Sequence, residues 1–386
     1  MSEPTDPTET AADAGAEVPS LTLDPARGQR LSVPSRDRAI GCLVGAAVGD
    51  ALGAPFEFLP AGVYARRFPT PERGGTGEMI GGGSFGWAPG EFTDDTQMGL
   101  VIARSLLTQG RYDLDDIWTR WRTWAATSSD VGSTTRNALV ADDWRDAGKR
   151  HRSIEYTAGN GALMRAFPLA LATLEVDDAS ARAIVLHQAA STHPHPAAGW
   201  GAWFAVAAMR AAIRGASSGG GARVALATAL DAIETELKAM SRVEPAHAQR
   251  YITMLDPAWV PSDAEVRNGS VWGCLAQAVW ALRTYDTFEG AVTAVVDLGD
   301  DADTVACVTG AIAGAVHGIQ GIPSRWTTYV NGRVDTPSGT ERYDLTSLRA
   351  TALELVGLAE PASAAREEAV GPTRIEGGLH AANLLG

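Results

Sequence analysis

Gly41-Cys42-Leu43-Val44-Gly45-Ala46-Ala47-Val48-Gly49-Asp50-Ala51-Leu52-Gly53 sets a glycine at every fourth position of an apolar run. On a helix, residues four apart share one face, so Gly41, Gly45, Gly49 and Gly53 form a stripe. Each glycine costs a helix interior roughly 1 kcal/mol against alanine. Such a stripe is tolerable where another backbone must come very close. Residues 304–317 supply a second small-residue surface, with Ala306, Gly310, Ala313 and Gly314. The pattern predicts two central helices packed at short range. They would hold Asp50 and Asp303 on rigid, buried elements.

Outward from this pair, alanine-rich stretches repeat their apolar residues at three- and four-residue intervals, the helical period. They cover residues 40–52, 96–107, 179–190, 197–213, 223–240, 271–283, 288–296, 304–317 and 348–358. Little of the chain alternates like a strand. The expected fold is all-α: one multi-helix domain over residues 36–360. Residues 1–35, rich in Pro, Thr, Glu and Ala, read as a disordered tail without the basic start and apolar core of a secretory signal. Residues 361–386 read as a C-terminal tail. Ser217-Ser218-Gly219-Gly220-Gly221 reads as a loop between helices.

The chain has 386 residues, 45% of them hydrophobic, enough for a sizeable core. A formal charge of −14 argues against a sequence-independent grip on nucleic acid. It leaves room for small anionic ligands, because a bound cation reverses the local sign. Cys42, Cys274 and Cys307 lie in apolar segments without CxxC spacing and read as buried free thiols, which fits a cytoplasmic setting. No run of about eighteen apolar residues is evident, so no membrane span is expected. The closest candidate, residues 39–49, is short.

Two acidic runs stand far apart: Thr93-Asp94-Asp95-Thr96 and Asp300-Asp301-Ala302-Asp303-Thr304. Each opens an apolar, helix-like segment just after a glycine-containing loop. Either run alone reads equally as a helix N-cap. Yet one cap residue suffices per helix, and paired carboxylates repel one another unless a cation or protons intervene. Carboxylate and hydroxyl oxygens suit hard divalent cations. Two such clusters brought together by folding could hold two of them.

Other signals sit in loops. Gly81-Gly82-Gly83-Ser84-Phe85-Gly86 is either a place for a ligand to approach backbone or a connector. Gly159-Asn160-Gly161 is either a plain turn or a cradle of N–H groups for phosphate at a helix start. Thr192-His193-Pro194-His195-Pro196 joins two helices.

The order of these motifs resembles the ADP-ribosylglycohydrolase family. The opening is Gly41-Cys42-Leu43-Val44-Gly45-Ala46 with Gly49-Asp50-Ala51-Leu52-Gly53 and Glu57. There follow Thr93-Asp94-Asp95-Thr96, Asp130-Val131-Gly132-Ser133-Thr134-Thr135, Gly159-Asn160-Gly161 with Met164-Arg165, Thr192-His193-Pro194, and Asp301-Ala302-Asp303-Thr304. The resemblance implies an all-α fold with a two-metal centre, usually Mg²⁺ or Mn²⁺. By motif position the implied ligands are Thr93, Asp94, Asp95, Asp301, Asp303 and Thr304. Glu57 matches a glutamate that is a ligand in some members and a mobile gate in others. Gly159, Asn160, Gly161 and His193 match parts of an ADP-ribose pocket. One position departs: the second acidic motif usually reads Gly-Gly-Asp-Ala-Asp-Thr, and this chain has Asp300 at the second glycine. Asp can adopt the positive φ that a glycine there supplies, so Asp300 is expected beside the site rather than as an added ligand.

The implied reaction is hydrolysis of the bond between ADP-ribose and a side chain of a modified protein. Asp303 is the first candidate for general base and Glu57 the second. Asp130 resembles an aspartate of the arginine-specific, dinitrogenase reductase-activating branch, which favours mono-ADP-ribosylarginine as substrate. Alternatives are serine-linked, nucleic-acid-linked or free O-linked ADP-ribose. A silent ADP-ribose binder or a two-metal phosphohydrolase are further alternatives. No membrane or nucleic-acid partner is expected.

Overall fold

The computed structural model describes residues 21–24, 30–151, 154–215 and 221–358. Most of the two expected tails, and residues 216–220 of the serine-glycine loop, lie outside them. The described chain is mostly helical.

Val33–Gly53 and Ala302–His317 form the centre, and nearly every residue of both is buried. They run antiparallel: Gly41 meets Gly314, Gly45 meets Gly310, Gly49 meets Ala306 and Gly53 meets Asp303. A Cβ at Gly41, Gly45 or Gly49 would fall on a backbone carbonyl of the partner helix. Side chains at Gly310 and Gly314 would strike the carbonyls of Gly45 and Gly41 in return. The stripe therefore does what its spacing predicts, letting two backbones touch. Pro196–Gly215, Val271–Thr284 and Phe288–Val296 pack around this pair.

Several features depart from the sequence reading. Val33–Phe56 is apolar enough over 24 residues to cross a membrane by length and composition, longer than the short stretch expected. Its most apolar eighteen-residue window is wholly buried inside the fold, as a helix apolar on all sides must be when it sits at a core. Leu21 and Leu23, within the stretch read as a tail, are buried. Their backbones pair with the turn that ends the helix Asp94–Gln109, Leu23 N donating to Gly110 O at 2.7 Å and Tyr112 N to Leu21 O at 2.9 Å. Leu114–Ala125 is an amphipathic helix that the alanine pattern does not single out, with Trp118, Trp121 and Trp124 on its buried face.

The described residues also include an antiparallel hairpin, Asn331–Thr336 with Gly339–Asp344. Its first residue clamps the loop leading into the first acidic run. Phe92 N donates to Asn331 O at 2.9 Å and Asn331 N to Gly90 O at 2.9 Å. Gly332 has no side chain because the Phe92 ring lies against it.

Candidate active site

Folding brings the two acidic runs to one end of the central pair. Asp94–Gln109 begins at the first run and Ala302–His317 at the second. Neither run acts as a helix cap: Thr93 and Asp301 stand at the N-cap positions, and neither side chain makes a capping hydrogen bond. For the first helix that work falls to Asp50, from the last turns of Val33–Gly53. Its Oδ1 accepts from Thr93 N at 2.9 Å, and its Oδ2 from Thr96 N at 3.0 Å and Thr96 Oγ1 at 2.6 Å. Asp94 and Asp95 are thereby left free of capping duty. Asp130 does not cap the helix that follows it either, since Gly132 is the N-cap of Ser133–Leu139 and no side chain caps that helix.

Carboxylate oxygens of Glu57, Asp301 and Asp303 lie within 4.8 Å of one another. Asp50, Glu57, Asp94, Asp95, Asp130 and Asp303 are buried, and Asp301 is half-buried. Thr93 and Thr304 are buried beside them, with Thr93 Oγ1 donating to Asp95 Oδ2 at 3.1 Å. Three buried carboxylate oxygens, Glu57 Oε2, Asp95 Oδ1 and Asp130 Oδ2, have no hydrogen-bond partner among the described residues. Orphaned buried acceptors of this kind are costly. An all-oxygen donor set with unsatisfied lone pairs fits a hard divalent cation.

The electrostatics agree. Burial, reinforced by Asp130, Asp301 and Asp50, pushes Glu57 up to about 8. Burial, with Asp50 and Asp301, pushes Asp130 up to about 7, against the pull of Arg136. Asp50 rises to about 6 through burial, although its bonds to Thr96 and Thr93 oppose the rise. Asp94, Asp95 and Asp303 are raised well above the carboxylate range, first by burial and then by a neighbouring charge, chiefly Asp130 for Asp94, Asp50 for Asp95 and Asp95 for Asp303. Asp301 is raised by burial, with the hydrogen bond from Asn160 holding it down.

The Glu57 loop is tied to the second run. Phe58 N donates to Asp300 O at 2.6 Å and Asp300 N to Leu59 O at 2.9 Å. Phe58 and Asp300 are the two non-glycine residues with positive φ among the described residues, at 63° and 57°. Asp300 thus takes the backbone conformation expected of the glycine it replaces. Its exposed carboxylate faces Arg267 at 3.9 Å.

Gly159-Asn160-Gly161 lies against the same end, but Asn160 is spent inside the protein. Its backbone N–H donates to Gly269 O at 3.2 Å. Its side-chain amide donates to Asn268 O at 3.1 Å and to Asp301 Oδ2 at 2.6 Å. The Asn160 amide is therefore no part of a free N–H cradle, and its side chain steadies the acidic cluster. His193, 3% exposed, packs its ring over the loop: Nε2 lies 3.4 Å from where a Cβ of Gly159 would stand and 3.0 Å from one at Gly161. Gly81–Gly86 folds back on itself, Gly82 N donating to Trp87 O at 2.7 Å, and packs on Ala54 and Pro55.

Two positioning residues carry no assigned site role in the sequence. Asp50 sits in a glycine-rich helix with no acidic neighbour to mark it. Asn268 has only an Asn-Gly turn signature. Its Oδ1 accepts from Asp301 N at 3.2 Å, and its Nδ2 donates to Gly299 O at 3.0 Å and Gln277 Oε1 at 3.2 Å.

Known proteins match this arrangement along most of the chain. A sequence profile of the ADP-ribosylglycohydrolase family matches residues 32–362. The ADP-ribosylarginine hydrolase Tri1 of Serratia proteamaculans is 32% identical over 305 residues, 76% of this chain and 75% of that protein. The ADP-ribosyl-dinitrogen reductase glycohydrolase of Rhodospirillum rubrum is 31% identical over 304 residues, covering 78% and 92% of the two chains. A solved ADP-ribosylglycohydrolase-related protein complex superposes with a TM-score of 0.63 at 31% identity, over 84% of this chain and 99% of that one. With the fold, the ordered motifs and the matches over most of the chain in agreement, this chain belongs to the ADP-ribosylglycohydrolase family.

Proposed function

We propose that this protein removes ADP-ribose from modified side chains, with mono-ADP-ribosylarginine as the favoured substrate. The observation that carries the reading is the convergence of Glu57, Asp301 and Asp303 within 4.8 Å. Unpartnered oxygens of Glu57, Asp95 and Asp130 are buried at the same end of the central helix pair. The relatives named as ADP-ribosylarginine hydrolase and ADP-ribosyl-dinitrogen reductase glycohydrolase support the substrate class.

Thr93, Asp94, Asp95, Asp301, Asp303 and Thr304 are the residues that would hold two divalent cations, Mg²⁺ or Mn²⁺. Bound there, such cations supply Lewis acidity and make a water a better nucleophile near neutral pH. The chain's own groups do the rest. Water attacks the anomeric carbon of the distal ribose, forming a C–O bond as the C–N bond to arginine breaks. One carboxylate takes the water's proton. Asp303 Oδ1 already accepts from Thr304 N at 2.9 Å, whereas Glu57 Oε2 is unpartnered, which favours Glu57 over Asp303 as base. The departing guanidine takes up a proton and leaves as guanidinium. Asp130 would orient that planar cation through paired, charge-assisted hydrogen bonds.

Partners are then the ADP-ribosylated protein and free ADP-ribose as product. Three free, buried cysteines support a cytoplasmic setting. The charge of −14 speaks against nucleic acid as a general partner.

The test is a parallel assay on arginine-linked and serine-linked ADP-ribosyl peptides and on a phosphate ester, with Mn²⁺, Mg²⁺ or chelator. ADP-ribose release from the arginine linkage, abolished by chelator, is expected. Binding without turnover would mark a silent binder. Phosphate release instead of ADP-ribose would mark a phosphohydrolase.

A further inference from the structure

Arg165 is fully buried and has no carboxylate bonded to it among the described residues. Its guanidinium is nonetheless clamped. Nε donates to Gln188 Oε1 at 3.0 Å, and Nη2 donates to Gln188 O at 3.3 Å and to Thr192 Oγ1 at 2.7 Å. Its face lies 4.1 Å from the centre of the Trp121 ring. Gln188 is itself fixed, donating from Nε2 to Ala162 O at 3.0 Å. A buried cation is costly unless well bonded, so this placement calls for a role.

The next link gives one. Thr192 Oγ1 lies 2.7 Å from His193 Nδ1. A hydroxyl has one hydrogen to give. Thr192 Oγ1 already accepts from Arg165, and it has no third partner among the described residues. Its hydrogen is satisfied only by donating to His193 Nδ1. That nitrogen then accepts, and the ring's single hydrogen sits on Nε2, which faces Gly159 and Gly161. Burial, with the nearby charges of Arg165 and His151, keeps the imidazole neutral.

We propose that Arg165 is a positioning residue that acts through Thr192 to lock His193 in its Nε2–H tautomer. The ring thereby offers an N–H donor to an anionic oxygen of the ligand held over Gly159-Asn160-Gly161. The other tautomer would present a lone pair there and repel such an oxygen. The functional half of this proposal rests on ADP-ribose binding at that loop. The tautomer half does not.

Histidine side-chain ¹H–¹⁵N multiple-bond correlations on the ligand-free, full-length protein read the tautomer directly, with His193→Gln assigning the signal. The wild type should show a pure Nε2–H pattern. Thr192→Ser should keep it, and Thr192→Val should lose it. Arg165→Met should lose it too. If that variant does not fold, the Thr192 pair decides alone. Calorimetry with ADP-ribose should show Thr192→Val weakened about tenfold, the worth of about one hydrogen bond, with Thr192→Ser near wild type. An Nδ1–H pattern in the wild type, or a pure Nε2–H pattern in Thr192→Val, overturns the relay. A changed tautomer with unchanged ADP-ribose affinity overturns the placement of the ligand and leaves the relay standing.

Discussion

Asp50 and Thr96 are joined twice, Asp50 Oδ2 accepting from the Thr96 amide at 3.0 Å and from its hydroxyl at 2.6 Å. The glycine-striped helix thus fixes the start of the helix that carries Asp94 and Asp95. Thr96→Val removes the hydroxyl bond and little volume. It should cost about 1.5–3 kcal/mol of stability, the typical worth of a hydrogen bond to a charged group. Denaturant unfolding in chelator measures it. Cation affinity should fall in the same variant, because the Asp50 carboxylate becomes less firmly held beside Asp95. Unchanged stability would show that the amide bonds alone secure the cap.

The raised carboxylates make a second prediction, with a definite sign. A carboxyl whose folded pKa exceeds its unfolded value stabilises the fold below the unfolded value, and that contribution is lost as pH rises through the folded one. Glu57 stands at about 8 and Asp130 at about 7, against ordinary values of 4.5 and 3.8. Buried neutral histidines such as His193 and His195 work in the opposite direction, but only below their ordinary value of 6.5. Between pH 6.5 and 8.5 the carboxylates therefore dominate. Chelator-treated protein should melt lower at pH 8.5 than at pH 6.5. Added Mn²⁺ or Mg²⁺ should stabilise it more at the higher pH, with protons released on binding. Scanning calorimetry at the two pH values checks the first claim. Titration in buffers of different ionisation enthalpy checks the second. A cation-free protein more stable at the higher pH would refute both.

Gly49→Ala tests the central pair. In an ordinary helix interior this change stabilises by roughly 1 kcal/mol. Here the added Cβ falls on the carbonyl of Ala306. The sign should reverse, with a loss of about 3 kcal/mol or a failure to fold. Ala306→Gly in the same protein should not rescue it, because the obstacle is backbone and not the Ala306 side chain. Rescue, or a neutral single variant, would mean that the two helices can separate without cost.

How much of this was legible depended on whether the cause was local. The stripe at Gly41, Gly45, Gly49 and Gly53 states its own purpose, since only a backbone neighbour explains four glycines on one helical face. The acidic runs were visible as runs, but whether the first one capped its helix depended on Asp50, more than forty residues away in sequence from Thr93, and no local signal announces that contact. The hairpin 331–344 was missed because its strands, Asn-Gly-Arg-Val-Asp-Thr and Gly-Thr-Glu-Arg-Tyr-Asp, are largely polar and lean on Phe92 for their packing. Gly159-Asn160-Gly161 left a plain turn and a phosphate cradle both open, because a Gly-Asn-Gly turn is locally competent for either. The demand of Asp301 for the Asn160 amide is a tertiary fact. Leu114–Ala125 is legible locally, since Trp118, Trp121 and Trp124 recur at helical spacing.

The last prediction concerns the linkage cleaved. Asp130 is 8% exposed, caps no helix, and has a buried Oδ2 without a hydrogen-bond partner. Its backbone is pinned by Ser128, whose Oγ donates to Asp130 O at 2.7 Å, so the side chain is not free to seek a partner elsewhere. A group placed this way is poised for something that arrives. A ribosylated guanidinium is planar and cationic and offers paired N–H donors to one carboxylate. A serine-linked substrate offers no cation. Asp130→Asn keeps the size and removes the charge that a guanidinium needs. Turnover of arginine-linked ADP-ribose should fall about a hundredfold, as when a transition-state electrostatic partner is lost. Any serine-linked turnover should change far less. Mn²⁺ affinity, measured by calorimetry on the same preparation, should fall far less than turnover, separating loss of the guanidinium partner from damage to the acidic cluster. If arginine-linked turnover survives the change, or if the wild type prefers the serine linkage, Asp130 is not the arginine-reading group.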